Sequence, residues 1–434
     1  MQHHAKRLAG RTAAVLGTAT LALALAAAAV PAAGATTAAP GKTMIRPHLG
    51  IAAAQVGANP TVAGRVAAID AVTTTLPSVT TAYGVPDLWN SGITGAGTTV
   101  AVVDSFGDPD AAQVLDSYSQ QHGLPPAQLS VIAPAGPIPV CTPALEQQIG
   151  CDDWIGETDL DITMIHAIAP QAHIVIAATP VNETQGFTGL PEMMTAIDYM
   201  AKHQVADVIS LSFGTSEDDF PTLDSPKQLD YAFRDAKTAG IPIVAATGDC
   251  GSTGNTSAST YQCGDVFPYR VASWPGSDPL VTAVGGSVLN LNANGTQAGP
   301  ATLWPESGGG LSKTYARPAW QNSVKSITNS TQRSLPDIAM EGIEGTSQAT
   351  PLFGAVLALA TQLHHGPLGF VNTALYQLGP KGAKAGVVDI TTGNNGQYGV
   401  PGFAAGTGFD IASGWGTVDP KSFVPALVKQ IDKQ

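Results

Sequence analysis

Three short stretches of the chain carry residue types able to act together on one bond: Gly345-Thr346-Ser347 with Pro351, the carboxylate pair Glu157 and Asp161, and Thr247-Gly248-Asp249. Ser347 offers a hydroxyl nucleophile, the pair offers a base, and a protonated Asp249 offers a donor to an oxyanion. A serine hydrolase ordinarily takes its base from histidine, and here a carboxylate stands where that histidine is wanted. Carboxylates remain usable bases at much lower pH than imidazole, so the pattern predicts chemistry in acid.

Each residue needs an element to place it. Ser347 precedes the apolar helical stretch Gln348 to Leu359, with Pro351 read as lying in its first turn. A serine at a helix N-terminus meets free N–H groups and the positive end of the dipole, which suits a developing negative charge. The same position also suits a plain N-cap. Glu157 and Asp161 are four apart on a predicted helix, so both emerge on one face beside apolar Leu160, Met164 and Ile168. Like charges crowded beside an apolar stripe share protons, and one becomes a base or acid near its own raised pKa. A solvated acidic first turn is the alternative. Asp249 follows an apolar strand, where open α/β sheets hold their ligands, although it also fits a turn between two glycines.

The strands that supply these ends are short runs rich in β-branched residues: Thr98 to Asp104, His173 to Ala178, Asp207 to Phe213 and Ile241 to Thr247. They alternate with helical segments at 110–122, 157–168, 192–203 and 229–239. Near-continuous apolar strands separated by helices predict an α/β fold, a mostly parallel sheet with helices on both faces. Residues 75–434 contain no Pro/Ser-rich linker and read as one domain.

The joint order of these motifs, with Asp207-Val208-Ile209-Ser210-Leu211-Ser212, Trp274-Pro275, Ala283-Val284-Gly285-Gly286 and Glu306-Ser307-Gly308-Gly309-Gly310, resembles the sedolisins, secreted serine-carboxyl peptidases with a subtilisin-like fold. The resemblance runs from about residue 75 to 420. It implies an endopeptidase with Ser347 as nucleophile, Glu157 as general base and acid, Asp161 as its orienting partner, and Asp249 with the Ser347 N–H as oxyanion donors. It also implies that Ser210 to Gly214 and Ser307 to Gly310 are edges that pair with an extended substrate; a flexible turn is the other reading of the glycine run. Near the C-terminus it implies one structural Ca2+ held by the Asp389 and Asp410 carboxylates and the Ile390, Gly406 and Gly408 carbonyls, hard oxygen ligands of the right kind. No organic cofactor is implied.

Two features depart from that pattern. Sedolisins carry a large N-terminal prodomain, for which only residues 36–74 are available here, and Glu344 stands where a small residue usually precedes Gly-Thr-Ser. Two competing expectations remain. One is a subtilisin-type Ser-His-Asp site using Asp104, but none of His122, His166, His173 or His203 lies in a His-Gly-Thr context. His166 reads as a core or surface histidine. The other is an inactive binding protein on the same fold.

Composition sets the setting. Residues 1–35 hold Lys6, Arg7 and Arg11, an Ala/Leu run and a small-residue end at Ala33-Gly34-Ala35, the layout of a secretory signal peptide. Its removal leaves 36–74 as a short propeptide or linker and predicts a secreted, extracellular protein. The formal charge of −13 becomes −16, because the leader holds three basic residues and no acidic ones. Such an anionic chain has no electrostatic footprint for nucleic acid or anionic membrane, which leaves proteins or peptides as partners and a monomer as the default. Low charge density also suits survival in acid, where fewer paired carboxylates must be protonated. Four cysteines without C-x-x-C spacing disfavour zinc and suggest two disulfides; of the three possible connectivities the two local ones, Cys141–Cys151 and Cys250–Cys263, are preferred, though spacing leaves the choice open.

Overall fold

Alternation along one strand sets the layers. Strand β1 (Thr99–Ser105) sends Val100 and Val102 into a cluster with Ile162, Ile165, Leu352 and Val356, while Ala101 and Val103 join Met193, Ile197 and Phe233 on the other side. Successive side chains of a strand point to opposite faces, so a strand apolar at every position must be covered twice. The computed structural model describes residues 46–47, 55–73, 75–142, 151–181, 189–256, 262–343 and 345–434. The leader, Glu344 and residues 36–45 and 48–54 lie outside the described residues.

The other strands of the main sheet are β2 (Gln128–Ile132), β3 (His173–Thr179), β4 (Val208–Leu211), β5 (Ile243–Ala246), β6 (Thr282–Val288), β7 (Thr302–Leu303) and β8 (Ile338–Glu341). Their order is β7-β6-β5-β4-β1-β3-β2, with β8 also paired to β6. Every pairing is parallel except β7 with β6. The expected α/β class, a mostly parallel sheet with helices on both faces, is the fold observed.

The helices that matter below are α1 (Val62–Val72), α2 (Ala111–His122), α3 (Cys151–Ile168), α4 (Gly189–His203), α5 (Asp230–Ala239) and α6 (Thr346–His364). Helix α3 starts well before Glu157, so both carboxylates sit mid-helix and buried, which rules out a solvated first turn. The run expected as one strand over 207–213 divides at Ser212, after which Phe213–Ser216 pairs antiparallel with Ser273–Trp274 and with the two-residue strand Arg46–Pro47. Both expected disulfides are present. Among the described residues no helix is long and apolar enough to cross a membrane.

Candidate active site

Ser347 is the second residue of α6, follows the N-cap Gly345, and is fully buried. Its Oγ donates to the Ser212 carbonyl at 3.4 Å. Pro351 falls beyond the first turn, in the helix interior. Lacking an N–H, it cannot bond the carbonyl four residues back, which is that of Ser347. That carbonyl accepts from the Ser212 hydroxyl at 3.5 Å. The proline thus leaves one acceptor of Ser347's own peptide for the neighbouring strand end.

The nearer partner of the Ser212 hydroxyl is Asp161 Oδ1, at 2.7 Å. Ser212 therefore links Asp161 on α3 to Ser347 on α6, where the sequence reading had placed it only on a substrate edge. Glu157 lies one turn from Asp161 on the same buried face, and its charge raises the pKa of Asp161. Burial is the larger cause of that rise, and Asp104 contributes more than Glu157.

Asp104 belongs to the same site by strand parity. It follows Val100 and Val102 on the β1 face covered by α3 and α6, and is fully buried. Burial pushes its own carboxyl up to about 7. Three carboxylates thus crowd one interior region, where burial raises the pKa of Asp104 and Asp161 and the neighbouring charges push Asp161 further. Sequence reasoning met Asp104 only as the aspartate of a rival triad; its period-two relation to Val100 and Val102 was the available signal.

Asp249 lies past the end of β5, against the start of α6. Its Oδ1 accepts from the Thr346 N–H at 2.8 Å and the Thr346 hydroxyl at 2.7 Å, while its Oδ2 is buried without a hydrogen-bond donor. Burial pushes this carboxyl up to about 8, against the pull of the two Thr346 donors. Below that pH it is a neutral acid. The glycine run beside it is a close-packed wall: Gly308 donates to the Gly248 carbonyl at 2.7 Å, and a Cβ on Gly308 would collide with the Thr247 carbonyl. A cleft opens between Gly214–Ser216 and Thr247–Gly251.

Disulfides anchor two of these elements. Cys151 opens α3, and Cys250 follows Asp249. His166 sits at the far end of α3, engaged with Ser119 Oγ at 2.9 Å and the Pro125 carbonyl at 3.1 Å, and burial lowers its pKa to about 4. It is a core histidine.

The C-terminal loops bring the remaining candidates together. The Gly406 N–H donates to Asp410 Oδ2 at 2.9 Å and the Gly408 N–H to Asp389 Oδ2 at 2.8 Å, with Ile390 buried next to Asp389. Asp389 Oδ1 is buried with no donor. An oxygen left in that state is a place for a cation, and the donor set is chemically right for calcium. The same loops reach the site, because the Asn395 carbonyl accepts from the Ser252 N–H at 2.8 Å and its side-chain amide donates to the Ser307 carbonyl at 3.1 Å.

Comparison with known proteins agrees with this architecture. The subtilase family profile matches residues 154–378. Kumamolisin from Bacillus sp. (strain MN-32) is 30% identical over 78% of this chain and 61% of its own length, and sedolisin from Pseudomonas sp. (strain 101) is 28% identical over 76% and 58%. The chain thus spans about three fifths of the length of these two relatives. The solved structure of Pseudomonas sedolisin, complexed with two molecules of pseudo-iodotyrostatin, superimposes with a TM-score of 0.68 at 27% identity, covering 81% of this chain and 97% of that one. With more than half of its residues inside the family profile and its motifs in the order of the serine-carboxyl peptidases, the chain belongs to the subtilase family, on its sedolisin branch.

Proposed function

We propose that the protein is a secreted serine-carboxyl endopeptidase that hydrolyses peptide bonds of proteins in acid. The observation that carries this reading is the buried chain from Asp161 through Ser212 to Ser347, with Asp249 on the other side of the same helix start. In the proposed cycle Ser347 Oγ attacks the scissile carbonyl as Glu157 takes its proton. Asp161 orients Glu157. The oxyanion that forms is met by the Ser347 N–H and by a proton on Asp249 Oδ2, the oxygen that Thr346 leaves unused. Glu157 then passes its proton to the leaving amine, and water resolves the acyl-enzyme with Glu157 again as base. The edge at Phe213–Gly214 is suited to an extended substrate, since Arg46–Pro47 of the same chain pairs with it as a strand.

Casein and peptide cleavage measured from about pH 3 to pH 8 tests the reading, since a carboxylate base places the optimum below that of an imidazole enzyme. An optimum near neutrality would count against the carboxylate mechanism.

We further propose one structural calcium ion held by the carboxylates of Asp389 and Asp410 and the carbonyls of Ile390, Gly406 and Gly408. Bound there, the ion would neutralise the two carboxylates and stiffen the loops that carry Asn395 to Ser252 and Ser307. Chelation with EDTA should lower Tm by about 3 °C or more, with calcium restoring it and magnesium failing to. An unchanged Tm, or full restoration by magnesium, would remove calcium from the proposal.

A further inference from the structure

Helix α1 lies upstream of every motif used so far, within the stretch expected to be a propeptide or linker, yet its docking is built like a core contact. Arg65 is only 5% exposed and spans three carboxylates: Nε to Asp159 at 2.6 Å, and Nη2 to Asp108 at 3.1 Å and Asp110 at 3.7 Å. Val56 and Ile69 are fully buried and Val66 is 2% exposed. On the other flank Asp70 pairs with His122 Nε2 at 2.9 Å and accepts from Gln121, both on α2. Gly57 lies so close to the start of α3 that a Cβ would collide with the Asp152 carbonyl and stand 3.2 Å from the Gly156 nitrogen.

These contacts bracket Glu157. Gly57 touches α3 at 152 and 156, and Arg65 grips it at 159. On a helix, Asp159 points away from the face shared by Glu157 and Asp161. Arg65 therefore holds the back of the helix whose front carries the carboxylates. The grip has chemical need behind it, because Asp108 and Asp159 are both buried and no second cation among the described residues is paired with them. Two buried carboxylates left without a counter-charge must take up a proton or move.

We propose that residues 55–73 are a retained, working part of this protein, and that Gly57 and Arg65 are positioning residues that hold α3 so that Glu157 and Asp161 meet Ser347. The catalytic half of this inference rests on the functional reading above; the docking half does not. A displacement of about 1 Å in a catalytic group can cost on the order of 10²-fold in rate. In the full chain, Arg65→Met is expected to lower kcat by about tenfold to a hundredfold with KM within about twofold, and Arg65→Lys, one point charge for a planar fork, to recover part of the loss. Amide exchange in α3 should quicken in Arg65→Met and in Gly57→Ala while α5, on the opposite face of the sheet, stays at wild-type rates. If Arg65→Met does not fold, Arg65→Gln with Asp159→Asn removes charge and partner together, and the same fall in kcat is expected.

Wild-type kcat together with wild-type exchange in α3 for these variants would overturn the inference. So would a mature, active protein whose N-terminal sequence begins after Arg65. If instead the wild type cleaves no peptide, or Ser347→Ala cleaves as well as it does, the functional reading fails, and exchange in α3 still decides whether α1 holds that helix.

Discussion

Ser347→Ala is expected to lower kcat on peptide substrates by a factor of about 10⁴ or more, with KM and Tm close to wild type. The loss is large because a nucleophile and its base act as a unit, so removing the attacking oxygen idles Glu157 and Asp161 together. Stability should hold, because the Ser347 Oγ contact to the Ser212 carbonyl is long, at 3.4 Å, and alanine loses no apolar packing. The oxyanion donors survive the change, so a residue of catalysis over water is expected to remain. Initial rates on a fluorogenic peptide in acid, with Tm recorded on the same samples, make the check. A variant keeping a tenth or more of wild-type kcat would remove Ser347 from the chemistry.

Asp249→Ala should cost about 10²- to 10³-fold in kcat, the usual loss for one oxyanion donor. The pH dependence makes this prediction sharper. Asp249 donates only while protonated, and burial keeps it protonated up to about pH 8. The activity it supports is therefore present below that pH and falls as pH rises through it, when the new charge would repel the oxyanion. Asp249→Asn keeps an N–H donor that does not titrate. It should be more active than Asp249→Ala, and its normalised profile should extend further into the alkaline range than that of the wild type. An alanine variant within about threefold of wild type, or an asparagine profile that superimposes on the wild-type one, would leave the oxyanion to other donors.

The candidate residues stood out in the sequence because their types are rare in their surroundings. A carboxylate pair beside an apolar stripe, an aspartate after an apolar strand and a serine before an apolar helix each break a local pattern, and the order of the breaks carried the family. Chain order alone could not show which groups meet side by side. Ser212 looked like one more residue of a strand run; alternation puts it on the face of Val208, and only the fold shows that Asp161 meets it there. Pro351 looked like a helix starter, and the frame of α6 shows that it frees a carbonyl. The Ser307 to Gly310 loop allowed a flexible turn; packing against Thr247 and Gly248 makes it a wall.

Local pattern by itself determined that this chain builds a doubly covered parallel sheet, that a carboxylate pair lies on one helix face, and that an aspartate follows a strand and a serine opens a helix. Those outcomes follow from periodicity and nearest-neighbour chemistry, which act over a few residues. Tertiary structure alone decided that Asp104 joins Asp161, that Asp249 spends one oxygen on Thr346 and keeps the other, and that Arg65 crosses from an upstream helix to Asp159. Those contacts join residues far apart in the chain, and the pKa of a buried carboxyl depends on which distant charges share its dry pocket, a quantity that no stretch of sequence contains.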